Sequence, residues 1–107
     1  YNSVDVIIIE EAQFFDKSII DFVKEALDVD SKIVIITGLD GDSERNNFGF
    51  IHNLIPYCES YTKLHALCLK CKDGTKASFT KCLEVKSGQI LVSSKAFIPV
   101  CRFHYLN

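Results

Sequence analysis

The sequence of 107 residues contains no methionine, only five glycines and two prolines, and no apolar run longer than four residues. Few glycines and prolines, together with 48% hydrophobic residues, exclude a disordered or collagen-like chain. Four apolar residues are far fewer than the roughly 20 that a helix needs to cross a membrane. Because translation starts with methionine, we expect that the beginning was removed by processing or that the chain is part of a longer protein.

The sequence also lacks the pattern G-x-x-x-x-G-K-[ST], the glycine-rich loop that binds nucleotide phosphates. The glycines stand at positions 38, 41, 49, 74 and 88, and none precedes Lys-Ser or Lys-Thr. The backbone and lysine of such a loop supply most of the phosphate binding in P-loop enzymes. We therefore do not expect this chain alone to transfer phosphate.

The net charge of −2 is unevenly distributed along the chain. Residues 1–50 contain 11 acidic and 4 basic residues, a net of −7, whereas residues 51–107 contain 3 acidic and 8 basic residues, a net of +5. This asymmetry predicts two units with different roles, which we place at residues 1–60 and 61–107. The lysines of the basic half are scattered, so we expect no direct binding of nucleic acid.

The five cysteines do not indicate a disulfide framework, because their number is odd. Two short pairs, Cys68-x-x-Cys71 and Cys101-x-x-His104, are separated by 29 residues. Paired ligands at this spacing are typical of a tetrahedral zinc site, and four protein ligands leave no open position for catalysis. The pattern thus predicts structural Zn²⁺. Buried thiols with His104 merely nearby remain the alternative.

The first half of the chain has the pattern of a parallel strand–helix–strand unit. Val4–Ile9 and Lys32–Thr37 are predicted as fully buried strands, and Asp16 is expected to cap a helix that ends near Val29. Phe48–Ile55 is predicted as a short helix that ends at Pro56. Shorter strands are then expected at Lys63–Cys68, Lys76–Glu84 and Gln89–Ser93.

Chemistry is expected where these strands end, because ligands of open parallel sheets bind at the carboxyl ends of the strands. Glu10 and Glu11 follow the first strand directly, in the manner of a Walker B segment that holds Mg²⁺ and orients a nucleophile. An acidic turn that only caps the next helix is the alternative. After the second strand, Gly38 and Gly41 allow close approach of a ligand, and Arg45 offers a guanidinium to phosphate or carboxylate.

Taken together and in their order along the chain, these motifs closely resemble those of the thymidine kinases of the cellular and poxvirus type, a zinc-containing P-loop family. The resemblance covers essentially all 107 residues and rests on the following segments: 5–15, 38–41, Arg45, 48–49, 53–56, 63–64, 68–71, 79–81 and 101–104. It implies an α/β fold: a partial P-loop NTPase-like parallel sheet in residues 1–60, then a small zinc-ribbon-like β lobe with a lasso loop in residues 61–107.

The resemblance also implies roles for individual residues. Glu11 matches the catalytic carboxylate, which takes the proton from the thymidine 5′-hydroxyl, and Glu10 occupies the Walker B position for Mg²⁺. The implied zinc ligands are Cys68, Cys71, Cys101 and His104. The implied substrate-binding positions are Phe14, Leu39, Phe48, Thr80, Ile90, Val92 and Phe97. The last three of these lie in the lasso, at about residues 87–100.

Four departures from the family pattern affect these positions. Glu10 replaces an aspartate, Ser43 stands where many relatives have a pocket phenylalanine, and Phe97 replaces a tyrosine. Ser93 and Ser94 occur where a glycine pair shapes the lasso, which puts the affinity for thymidine in question because serine tolerates positive φ poorly.

The expected function is conversion of ATP and thymidine to ADP and dTMP in nucleotide salvage, by a longer cytoplasmic protein that is a homotetramer and uses Zn²⁺ and Mg²⁺. A catalytically inactive, zinc-stabilised binding or assembly module derived from such a kinase is the first alternative. A helicase-type ATPase is the second, since residues 10–13 resemble a DEAQ box. Gly38–Gly41 and the paired cysteine motifs argue against this second alternative.

Overall fold

The structure is a computed structural model that describes residues 1–83 and 96–107. The chain divides into two compact units. The first comprises Tyr1–Asp40 and Asn47–Tyr61, and the second comprises Gly41–Asn46 and Thr62–Asn107. Within the described ranges, no helix has both the length and the apolar character that a membrane crossing requires.

The first unit contains the predicted strand–helix–strand crossover. Strand β1 is Val6–Ile9 and strand β2 is Ile33–Ile36, paired in parallel with Val6 opposite Ile33 and Ile9 opposite Ile36. Between them lie a 3-10 turn, helix α1 at Ser18–Lys24 and a π-helical continuation at Glu25–Val29. The prediction of a parallel pair is therefore confirmed. The physical reason is that a connection through a helix brings the second strand back in the same direction.

The prediction that both strands are fully buried is wrong. Exposed fractions reach 63% at Ile8 and 60% at Ile33, whereas Ile9, Val34 and Ile36 pack against the core. The reason is that α1 and the segment after Phe50 cover only one face of the pair within the first unit. Both faces of each strand are apolar in the sequence, so the pattern could not indicate which face α1 and the segment after Phe50 cover.

Helix α1 begins slightly later than predicted. Asp16 precedes it, and its carboxylate accepts a hydrogen bond from the Ser18 backbone N–H at 2.9 Å. Ile19 and Val23, four residues apart, lie on the buried face and contact Ala12 and Leu54 in one cluster. This spacing is the one that brings side chains to the same side of a helix.

Pro56 does not end the helix predicted before it. The segment is a 3-10 helix at Ile51–Tyr57 with Pro56 inside it. The fixed φ of proline suits 3-10 geometry, and its ring removes one short-range hydrogen bond rather than a long ladder. The backbone N–H of Cys58 still reaches the carbonyl of Ile55 at 3.1 Å.

The second unit is built from short antiparallel strands. Strand β3 at Ala66–Leu67 pairs with β4 at Lys76–Ala77, and β5 at Phe79–Cys82 pairs with β6 at Phe97–Val100. Helix α2 at Arg102–Leu106 follows. The core of the second unit contains Cys68, Ala77 and Val100, with Phe79 and Tyr105 packed against them.

Several sequence-based boundaries in this unit are corrected. Strand β3 covers only two residues of the predicted segment Lys63–Cys68, and the predicted strand that begins at Lys76 is split between two sheets. The last residues of the expected lasso, Phe97–Val100, form strand β6 rather than loop. The predicted strand Gln89–Ser93 lies outside the described residues.

Candidate functional site

Two glutamates follow β1, at the carboxyl end of the parallel pair. Glu10 and Glu11 are both exposed, so their carboxylates are available to solvent or a ligand. Glu11 has φ 53° and ψ 44°, which is the left-handed region of backbone conformation. Residues other than glycine rarely adopt it. Such a conformation costs about 1–3 kcal/mol, and residues held in it cluster at functional sites. The sequence located the acids but contained no signal for this backbone geometry.

Gln13, a residue to which the sequence analysis gave no role, contacts the end of each strand. Its side chain is 3% exposed. Its Nε2 donates a hydrogen bond to Glu11 Oε2 at 2.6 Å, and its Oε1 accepts one from the Leu39 backbone N–H at 3.0 Å. A second link joins the same strand ends, because the Ala12 N–H donates to the Thr37 carbonyl at 3.0 Å. The only sequence signal was an amide two residues after the acid.

Two glycines make room for Gln13. A Cβ at Gly38 would lie 2.6 Å from Gln13 Oε1 and 2.5 Å from Ile51 Cδ1. A Cβ at Gly49, where φ is +65°, would lie 2.3 Å from the carbonyl oxygen of Gln13. All three distances are shorter than a van der Waals contact, so the absence of a side chain at these positions allows Gln13 to occupy its place.

Three predicted substrate-binding residues lie in the same unit as Glu11. The rings of Phe14 and Phe48 meet edge to face, with centroids 5.6 Å apart. Phe48 is 8% exposed, whereas Phe14 is 56% and Leu39 50% exposed. Half-exposed apolar side chains are able to bind a flat aromatic ligand.

The other predicted substrate-binding residues belong to the second unit or fall outside the described residues. Thr80 lies in β5 opposite Pro99, and Phe97 lies in β6 opposite Cys82; both are half-buried. Ile90 and Val92, with Ser93 and Ser94, lie outside the described residues.

The guanidinium of Arg45, which the sequence analysis offers to a phosphate or carboxylate, lies against two aromatic rings. Its Cζ lies 4.7 Å from the centroid of the Tyr105 ring and 5.8 Å from that of Phe79. Arg102 lies over the same Phe79 ring at 4.7 Å. These cation–π contacts hold both guanidinium groups against aromatic faces within the second unit.

The predicted metal-ligating residues come together in the second unit. One ligand atom from each of Cys68, Cys71, Cys101 and His104 lies within 4.8 Å of the others. Cys68 and Cys71 belong to the turn after β3, whereas Cys101 directly precedes α2 and His104 lies within it. The sequence analysis did not predict α2, since five residues are too few for a periodic pattern.

The distances in this cluster match those of a tetrahedral zinc site. Bonds of about 2.3 Å to sulfur and about 2.0 Å to nitrogen place tetrahedral S···S pairs about 3.8 Å and S···N pairs about 3.5 Å apart. The Cys71 and Cys101 sulfurs are 3.7 Å apart, and His104 Nδ1 lies 3.4 Å from each of them. Cys68 Sγ lies 3.7 Å from the same nitrogen. The donor set and its geometry therefore fit Zn²⁺.

Backbone groups prepare one of these thiols to be a thiolate ligand. Burial opposes ionisation of Cys68, but hydrogen bonds from the N–H groups of Cys101, Cys71 and Lys70 outweigh it and lower the pKa of Cys68 to about 6. For Cys71, burial and the neighbouring thiols Cys68 and Cys101 raise the pKa to about 11. A metal ion is the usual means of ionising all the sulfurs of such a group.

Comparison with known proteins bears on both sites. Residues 1–105 match the family model described as thymidine kinase. Among similar proteins, thymidine kinase of Oryza sativa subsp. japonica is 48% identical over 109 residues, an alignment that covers all of this chain and 39% of the relative. The cytosolic thymidine kinase of Homo sapiens is 40% identical over 97% of this chain and 43% of the relative. The thymidine kinase of Raccoon poxvirus is 41% identical over 95% of this chain and 56% of the relative.

The chain thus spans between 39% and 56% of the length of these curated relatives. The match extends through both units, so it covers the two glutamates after β1 as well as the cysteine and histidine cluster.

Proposed function

The chain belongs to the thymidine kinase family, and on that premise we propose that a protein containing it transfers the γ-phosphoryl group of ATP to the 5′-hydroxyl of thymidine. The products are ADP and dTMP, a precursor for DNA synthesis. The P-loop that binds the ATP phosphates is contributed by sequence other than these 107 residues, which contain no such motif.

The observation that carries this proposal is the geometry of Glu11. Its carboxylate follows a strand of a parallel pair, its backbone is held in the left-handed region, and its Oε2 is hydrogen-bonded by a buried amide. A general base must be held within reach of the proton that it removes. In the proposed reaction, Glu11 accepts the proton of the 5′-hydroxyl as that oxygen attacks phosphorus.

Glu10 is proposed to hold Mg²⁺. Its carboxylate is exposed at the carboxyl end of β1, and oxygen ligands of this kind are those that Mg²⁺ prefers. The ion supplies neutralisation of charge on the phosphates when it is bound. The fold that accompanies these roles is, in our proposal, a P-loop NTPase-like sheet of which β1 and β2 are two neighbouring strands.

The nucleoside is proposed to bind beside Phe14, Leu39 and Phe48. Thr80, Ile90, Val92 and Phe97 stay predicted substrate-binding positions that the family resemblance implies. The exposed edge of Phe14 offers an apolar surface to a thymine ring. We further propose that Cys68, Cys71, Cys101 and His104 bind Zn²⁺, which stabilises the second unit and has no part in the chemical step.

Two wider properties are part of the proposal. The human relative is named cytosolic, which supports a cytoplasmic location for the whole protein. Assembly as a homotetramer is the oligomeric state that the family resemblance implies, and sedimentation analysis of the full-length protein measures it directly.

The proposed activity is tested with the full-length protein, thymidine and labelled ATP in the presence of Mg²⁺ and Zn²⁺. We expect labelled dTMP from the wild-type protein and from Glu25→Gln, a control that neutralises an exposed glutamate in the π-helical stretch of the first unit. Absence of dTMP above background from a folded, zinc-loaded protein contradicts the proposal. That result favours the alternative, an inactive zinc-stabilised binding or assembly module.

A further inference from the structure

Gln13 is a buried amide that joins the proposed catalytic carboxylate to the end of the second strand. We infer that Gln13 is a positioning residue, which holds the Glu11 carboxylate for proton removal and joins it to the Leu39 backbone, just after β2. The inference rests on the proposed function, because it gives Gln13 a purpose only if Glu11 acts as the base. The side chain is 3% exposed and uses both ends of its amide.

The chemistry of the two neighbours fixes the orientation of the amide. A backbone N–H only donates a hydrogen bond, and an ionised carboxylate only accepts. Oε1 therefore faces Leu39, and the NH₂ group faces Glu11, which are the contacts at 3.0 Å and 2.6 Å. Among side chains of this length, glutamine alone offers an acceptor to one neighbour and a donor to the other.

The surroundings of Gln13 leave it little freedom. Gly38 and Gly49 come so close that an added Cβ would lie 2.6 Å from its Oε1 or 2.3 Å from its carbonyl oxygen. Glu11, in contrast, is exposed and has several rotatable side-chain bonds. The hydrogen bond from the fixed Gln13 thus restrains the mobile carboxylate from one side, while the left-handed backbone at Glu11 sets its starting direction.

Such restraint matters for rate rather than for affinity. A misplacement of about 1 Å in a catalytic group is able to cost about 100-fold in rate. Loss of Gln13 Nε2 leaves the carboxylate chemically intact and free to rotate. We therefore expect the kcat of the kinase to fall while KM for thymidine and KM for ATP stay unchanged.

The kinetic test uses the full-length protein with Gln13→Met, Gln13→Glu, Glu11→Gln and the double variant of Gln13→Met with Glu11→Gln. We expect Gln13→Met to lower kcat by about 10- to 100-fold. Gln13→Glu still accepts from Leu39 but sets a second carboxyl group against that of Glu11, which disturbs the ionisation of both, so kcat should again fall. In the Glu11→Gln background, Gln13→Met should cause no further loss, because residues that act through one another are not additive.

A matched control separates positioning from stability. Val23 is 2% exposed in the core of the same unit and has no contact with the amide among those described, so Val23→Ala should lower the melting temperature and leave kcat unchanged. Wild-type kcat in Gln13→Met overturns the inference. Additive losses in the double variant also overturn it, since they indicate a general structural effect.

A second measurement does not depend on activity. In wild-type protein labelled with ¹⁵N-glutamine, the NH₂ signals of Gln13 are assigned by their loss in Gln13→Met. Slow exchange with solvent and a shift of these signals in Glu11→Gln support the Gln13–Glu11 contact on which the inference rests, and this readout is obtained even if the wild-type protein forms no dTMP and the proposed function fails. Fast exchange with no shift overturns the inference, even if the protein is an active kinase.

Discussion

Replacing Gly49 by alanine tests the close packing around Gln13. At φ +65°, an alanine costs about 1–2 kcal/mol because its Cβ crowds the following carbonyl. The same Cβ would lie 2.3 Å from the Gln13 carbonyl oxygen. The structure must shift to remove this clash, which adds about 1–3 kcal/mol of destabilisation. Alanine also has fewer conformations than glycine in the unfolded chain, and this effect offsets about 0.4–1 kcal/mol of the destabilisation. The net destabilisation expected is therefore about 3 kcal/mol.

Two other glycines provide matched controls for the two contributions. Gly74 has φ +89° and no atom within 4 Å of an added Cβ, so Gly74→Ala carries backbone strain without a clash. Its expected cost is about 1 kcal/mol. The Cβ of Gly41→Ala would meet only the Asn46 carbonyl oxygen at 3.5 Å, an ordinary contact, and its expected effect is near zero.

The assay is urea unfolding of the full-length variants, followed by circular dichroism. With a slope of about 2 kcal/mol per molar urea, 3 kcal/mol lowers the midpoint by about 1.5 M. Each variant is compared with the wild-type transition of its own unit. If Gly49→Ala is no more destabilising than Gly74→Ala, the backbone at Gln13 yields to the new side chain, and the reasoning about its fixed position is refuted.

Two further predictions concern the metal cluster and helix α1. Chelation of zinc, or Cys101→Ser, should unfold the second unit, because metal binding contributes folding free energy in small sites; Cys58→Ser, at an exposed cysteine outside the cluster, should not. Equal melting temperatures with and without chelator would contradict the zinc assignment. The Ser18 hydroxyl and backbone N–H hold the pKa of Asp16 below its usual value. Its contribution to stability is therefore present above the unfolded pKa of 3.8 and is lost as the pH falls through the lower folded value, so Asp16→Asn should flatten this part of the stability–pH curve. An unchanged curve would show that the Ser18 contact is not formed.

The parts of the fold that the sequence predicted correctly are those set by local pattern. Val6–Ile9 and Ile33–Ile36 are apolar runs on either side of a helical pattern, which is enough to predict a parallel pair. The approach of Cys68, Cys71, Cys101 and His104 to one another was likewise evident from two short pairs. Spacing of this kind constrains three-dimensional position closely, because all four atoms must approach one point.

The parts that could not be predicted depend on contacts between distant segments. The strand expected from Lys76 onward divides because Lys76–Ala77 pairs with β3 whereas Phe79–Cys82 pairs with β6, and partner choice is not encoded in strand propensity. The left-handed backbone at Glu11 has no local signature, since it occurs at a glutamate rather than a glycine. Gln13 acquires its role only when β1 and β2 end side by side.

The most direct test of the account is the rate of phosphoryl transfer in a single turnover by full-length Glu11→Gln. Glutamine retains the size of the side chain but cannot accept the proton. We predict a fall of about 10²- to 10⁴-fold in the rate of dTMP formation, the range for loss of a general base, with thymidine binding and melting temperature unchanged. A rate equal to that of the wild-type protein would contradict the assignment of Glu11 as the catalytic base.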